Sequence, residues 1–157
     1  MMSTQLETIS QATVLYETDY NLWVLETVKQ LEKREFDALD LENLIEEVAD
    51  LSRRDKHKLK SLLRRLFEHL LKLSYWQAEL SRNEFHWKRE IVNFRKQIQD
   101  LLEDSPSLKP YLAQILESCY RDGRELASTR SQLSLGTFPE QPIANLEQVL
   151  DENWFPQ

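Results

Sequence analysis

The sequence predicts an all-α, single-domain helical bundle of about five main helices, with a loop-rich C-terminal tail and a short last helix. Three observations predict it. Apolar residues recur at close to 3.6 positions along most of the chain, the period of one face of a helix. Only 2 glycines and 5 prolines stand among 157 residues, too few for a turn-rich β fold. The composition, 41% apolar and 30% charged, is that of a globular chain, and a chain of this size can bury about two-thirds of its unfolded surface.

The elements follow in order. Residues 1–14 carry no clear stripe and are expected to be a flexible lead-in to a bundle over 15–128. In the first helix Tyr20, Trp23, Val24, Val28 and Leu31 form one stripe, and Thr18 or Asp19 can cap its start with a side-chain oxygen. Arg34–Leu39 lacks the pattern and turns the chain. Asp40 then caps a second helix with Leu41, Leu44, Ile45, Val48 and Leu51 on its apolar face. Ser52-Arg53-Arg54-Asp55 resembles a capping box, so the chain either breaks there or runs on as one long helix. The third helix is the most apolar, with Leu59, Leu62, Leu63, Leu66, Phe67, Leu70 and Leu71 on one stripe. A second stripe, Leu62, Leu66, His69, Leu73 and Trp76, overlaps it. Together they exceed the usual amphipathic sector, which makes this helix the centre of the bundle.

Ser81 with Glu84 reads as a capping box opening the fourth helix. Its Trp87, Ile91, Phe94, Ile98 and Leu101 repeat at four, three, four and three, a seam for shallow packing along another helix. Ser105-Pro106 ends it and starts the fifth, since proline suits a first helical turn. Leu108, Tyr111, Leu112, Ile115, Leu116 and Cys119 share the fifth helix's face. Beyond Ser128 the pattern fades into a tail, 129–157, with a short helix over Ile143–Leu150. The tail ends in Trp154-Phe155-Pro156, two aromatics that favour docking on the bundle.

Several segments together resemble one family. They are Leu15-Tyr16-Glu17-Thr18-Asp19 with Trp23, Leu39-Asp40-Leu41-Glu42-Asn43-Leu44-Ile45-Glu46-Glu47, His69-Leu70-Leu71-Lys72, and His86-Trp87 with Asn93-Phe94-Arg95. Ile91, Gln97-Ile98, Leu102, Asp104-Ser105-Pro106-Ser107-Leu108, and Thr137-Phe138-Pro139 through Asp151-Glu152 complete the set. They are similar to the helical family of unknown function numbered 29, widespread in cyanobacteria, from about residue 15 to the end. Two positions depart from it: Ser52, where relatives often have glycine, and Ala78, where a proline is common. The resemblance implies a helical bundle in a bacterial cytosol and carries no activity with it.

Charge is uneven. The net charge is −7, yet residues 1–52 hold 3 basic and 12 acidic side chains, residues 53–99 hold 13 and 5, and residues 100–157 hold 4 and 10. The basic middle either meets an anionic partner or lies against acidic neighbours within the fold. The second reading is favoured, because an acidic molecule repels a polyanion. A lone cysteine, Cys119, excludes an internal disulfide and a thiolate zinc site. No apolar run reaches the roughly 18 residues of a membrane span, and the start lacks a signal pattern. A cytoplasmic protein with no membrane partner is expected.

No phosphate loop, nucleophile elbow or dinucleotide fingerprint occurs, and with two glycines none could. An enzyme is therefore not the favoured reading, and no cofactor is expected. A metal-dependent hydrolase would draw on Glu46 and His69, but the Glu-x-x-His pair of di-metal bundles is missing. A lone interior histidine bonded to a carbonyl or carboxylate is the simpler role for His69. Nucleic-acid binding would use residues 53–96, where Tyr75, Trp76, Phe85, His86 and Trp87 interleave with Lys72, Arg82, Lys88 and Arg89. The favoured reading is a protein-interaction or accessory module, with self-association as one form of it. Its surface would be drawn from the acidic face Glu42, Glu46, Glu47 and Asp50 and from the corner Lys72, Tyr75, Trp76, His86 and Trp87.

Overall fold

The computed structural model describes residues 2–157. It is 83% helical, with no strand among the described residues. Six α-helices follow one another: α1 (Met2–Thr18), α2 (Tyr20–Glu32), α3 (Leu41–Tyr75), α4 (Gln77–Asp104), α5 (Lys109–Ser131) and α6 (Leu146–Leu150). Contacts gather the chain into two compact units, Met1–Arg53 and Arg54–Gln157, and α3 contributes to both. The all-α bundle expectation holds.

The N-terminal unit begins with α1 packed on α2. Residues 2–14 are helical here, where the sequence suggests a flexible lead-in; they contain no glycine or proline to interrupt the turns. Asp19 alone separates the two helices, and its carboxylate accepts the Leu22 N–H at 3.0 Å as the α2 cap. A 3-10 turn over Phe36–Ala38 leads to α3. Asp40 stands where a cap is expected, and its carbonyl accepts the Leu44 N–H. Its carboxylate also takes the Trp23 indole N–H at 3.3 Å and the Asn43 amide at 2.7 Å. Trp23 is almost wholly buried, with Tyr16 edge-on to its ring and Tyr20 stacked beside it.

Helix α3 runs through Ser52 without a break. Serine lacks glycine's freedom to leave the helix, and Arg53 reaches back to Glu46 at 2.8 Å and Asp50 at 2.6 Å. Helix α4 starts at Gln77, four residues before the expected Ser81 cap. Trp76 makes the turn instead: it stacks on Trp87 at 5.6 Å, and its N–H stays bonded to the Lys72 carbonyl. Pro106 opens a 3-10 turn rather than α5 itself.

In the C-terminal unit the leucine-dense part of α3 is central. Leu59, Leu63, Leu66, Phe67, Leu70 and Leu71 are fully buried. Helix α4 runs antiparallel to it, since Arg65 and His69 meet Phe94 while Lys72 and Trp76 meet Trp87. Helix α5 runs parallel to it, because Cys119 faces the Lys60 carbonyl, Gly123 lies against Arg64 and Phe67, and Arg130 reaches Glu68. The seam residues Trp87, Ile91, Phe94 and Ile98 are all buried. The tail packs on this core through Phe138, Ala144 and Val149, with Trp154 and Phe155 half-buried. Helix α6 opens with a reciprocal capping box between Asn145 and Gln148.

Candidate functional site

Two places in the molecule depart from a simple packed bundle. One is a set of buried charged groups in the C-terminal unit. The other is the surface of the N-terminal unit.

Glu68, His69 and Lys72 are all buried on α3. Helical spacing puts Glu68 and Lys72 one turn apart, and α5 brings Arg130 Nε to 2.7 Å from Glu68 Oε1. His69 Nδ1–H donates to the Arg65 carbonyl at 2.8 Å, so in the neutral ring the proton sits on Nδ1. The His69 pKa is lowered to about 4, first by burial and then by the Lys72 charge. Burial also lowers the Lys72 pKa, and its ammonium lies over the Trp87 ring at 5.5 Å. The group is a packed cluster of charges held by ion pairs, in which the buried Glu68 Oε1 makes no hydrogen bond of good geometry.

The sign of the His69 effect follows from linkage. Between about pH 4 and 6.5 the unfolded chain protonates this histidine and the folded chain does not, so stability falls as pH falls. Going from pH 7 to pH 5 should cost wild type about 2 kcal/mol from this group. His69→Gln should lack that component, so the stability gap between the two proteins narrows at pH 5. Urea unfolding at both pH values tests this; an unchanged gap refutes the assignment.

The candidate metal residues do not form a site. Glu46 belongs to the N-terminal unit with its carboxylate on Arg53, and His69 belongs to the C-terminal unit. Among the described residues no group of three His, Cys, Asp or Glu side chains is placed to hold a metal ion. The Cys119 thiol is buried and its pKa is raised to about 11 by burial, the opposite of a reactive cysteine.

Much of the basic middle is occupied internally. Arg64 pairs with Asp122 at 2.6 Å, Lys88 with Glu84 at 2.8 Å, and Arg95 is fully buried. Of the expected corner surface, Lys72 and Trp87 are buried and belong to the core, where desolvated stems and rings fill the α3–α4 turn. Tyr75 and Trp76 are half-buried, with Tyr75 against Phe138, and His86 is exposed. The acidic residues also separate. Glu47 accepts from Tyr16 at 2.6 Å and Tyr20 at 2.7 Å, Glu46 and Asp50 share Arg53, and Glu42 is exposed. The Glu47 bond, foremost, pushes the Tyr16 pKa up to about 12.

The N-terminal unit is unusual in what it leaves uncovered. Among the described residues, twelve of the fifteen exposed large apolar side chains lie in it. On α2, Trp23 alone of the expected apolar stripe is buried, while Val28 and Leu31 are exposed. On α3, Leu41, Ile45, Val48 and Leu51 are each more than half exposed, although their spacing reads as a core face. The first three form a ridge, at 0°, 40° and −20° on a helical wheel. Tyr16 and Tyr20 reach α3 at Glu47, roughly 120° away from that ridge. Between α1 and α2 lies a groove of about 300 Å³ whose lining includes Ala12, Leu15, Trp23 and Thr27.

The profile of a family described as Domain of unknown function DUF29 matches residues 15–155. The chain belongs to the DUF29 family. No curated protein and no solved structure matches it. The match covers both units of this DUF29 protein, and it begins within α1. No described helix of the DUF29 chain is long and apolar enough to cross a membrane.

Proposed function

We propose that this DUF29 protein is an interaction module of the bacterial cytoplasm and that its N-terminal unit carries the recognition surface. One observation supports the reading above others: the concentration of exposed apolar side chains on that unit. Single exposed apolar residues are ordinary on protein surfaces, but a clustered set marks a surface that meets something. The C-terminal unit acts as the stable body, with Glu68, Lys72 and Arg95 buried in it. Nucleic-acid binding is less favoured, since Lys72 and Arg95 are buried and Arg64 and Lys88 are paired with Asp122 and Glu84.

The test is a photo-crosslinking amino acid placed at Ile45 or, as a control, at the exposed Lys96, in the native cell. A discrete protein adduct is expected at position 45 and none at 96. The adduct should be lost when Leu41 and Val48 are both serine, with the helical circular dichroism unchanged. No adduct at 45, or the same adduct at 96, overturns the reading.

A further inference from the structure

The occupant of the α3 ridge can be specified from charge and apolar content. Building on the interaction reading above, we propose that Leu41, Ile45 and Val48 receive a cationic amphipathic helix from another protein. Residues 1–53 carry 12 acidic and 4 basic side chains. The ridge is flanked on one side by the exposed Glu42 and Glu46; Glu46 and Asp50 share Arg53, so this flank keeps a net negative charge. An apolar stripe bordered by carboxylates complements a helix with leucine-type residues on one face and lysine or arginine beside them. A ridge whose residues lie four and three apart is also the shape that another helix packs against.

A second copy of this chain fits less well in either arrangement. A symmetric contact would set this acidic unit against itself, a like-charge juxtaposition that opposes association. A head-to-tail contact that seats the ridge on the C-terminal unit of another copy would need an apolar ridge there. Outside the N-terminal unit the described exposed large apolar residues are only Phe85, Val92 and Leu135. Phe85 and Val92 stand on α4 beside Lys88 and Arg89, too small a patch to cover the larger face.

The experiment uses the full chain and two labelled 18-residue helical peptides. Both carry leucine at i, i+3, i+4 and i+7; the remaining positions are mainly lysine in one and mainly glutamate in the other. Fluorescence anisotropy should show the lysine peptide binding at least tenfold more tightly than the glutamate peptide. Raising salt from 50 to 300 mM should weaken it several-fold. The protein variant Ile45→Ser/Val48→Ser keeps every charge and should lose at least tenfold in affinity. Equal binding of both peptides, or no loss in the serine variant, overturns the proposal. So does light scattering that shows a dimer of the chain alone, abolished by the same variant, because a second copy would then hold the ridge. Adducts at position 45 in cells alongside a failed peptide preference would retain the interaction reading and reject only the cationic partner.

Discussion

Arg95→Ala is expected to lower the unfolding free energy by about 4 kcal/mol and to release the C-terminal tail. The Arg95 side chain is fully buried. Its Nε donates to the Val149 carbonyl at 2.7 Å and its Nη2 to the Gln148 carbonyl at 3.4 Å, at the end of α6. The Gln148 carbonyl also takes the Asp151 N–H at 3.2 Å, whereas the Val149 carbonyl depends on the guanidinium, which there fills the role a C-terminal cap would play. The Phe155 ring lies 5.3 Å from the guanidinium. Burial lowers the Arg95 pKa to about 10, opposed by Asp151 and Glu152. Truncation leaves a cavity and the Val149 carbonyl without a donor, each a cost of a few kcal/mol. Arg95→Met keeps most of the volume and removes a costly buried charge, so its loss should be smaller, roughly 1–2 kcal/mol. Urea unfolding measures both, and limited proteolysis should cut the Ala variant first between residues 139 and 157. A tail as protected in Arg95→Ala as in wild type would refute the role.

Gly123→Ala is the second large effect, and its sign runs against helix propensity. In an exposed helix interior the change to alanine stabilises by about 1 kcal/mol. Here the added Cβ would sit 2.8 Å from the Arg64 carbonyl oxygen and from Phe67 Cβ, and 3.1 Å from the Glu68 amide nitrogen. Two of those atoms are helix backbone, which cannot swing aside as a side chain can. Helices α3 and α5 must move apart, and the overpacking should cost about 2–3 kcal/mol net. The melting temperature should fall by roughly 5–10 °C. The separation should also lengthen the Arg130–Glu68 ion pair, now 2.7 Å, and weaken the charge compensation of a buried carboxylate. A melting temperature at or above wild type would show that the two helices are not in backbone contact.

The same contrast runs through the molecule. The long leucine run of α3 was readable because its stripes cover more than one helix face, and a helix apolar over that arc has to be surrounded. The α4 seam and the Asp19 cap were readable for similarly local reasons. The Ser81 capping box was a misleading local signal. Ser-x-x-Glu also occurs inside helices, and α4 has its cap position at Trp76, stacked on Trp87, five residues earlier. Arg95 lies one position beside the buried Phe94, yet a basic residue in a basic segment carries no mark that a carbonyl pair from 54 positions away will claim it. Gly123 was visible as one of two glycines, but the need for it comes from another helix.

The candidate surface shows the division most clearly. Periodicity identifies Leu41, Ile45 and Val48 as one apolar face, and composition identifies the N-terminal third as acidic; both follow from the order of residues alone. Whether that face is covered is a property of the neighbours, and only the packed chain decides it. By itself the sequence determined an all-helical protein with a leucine-rich centre, because helix period and turn chemistry act over a few residues. The tertiary structure decided which apolar stripes are buried and which charges are paired. Burial and pairing depend on segments far apart in the chain meeting at a few ångströms.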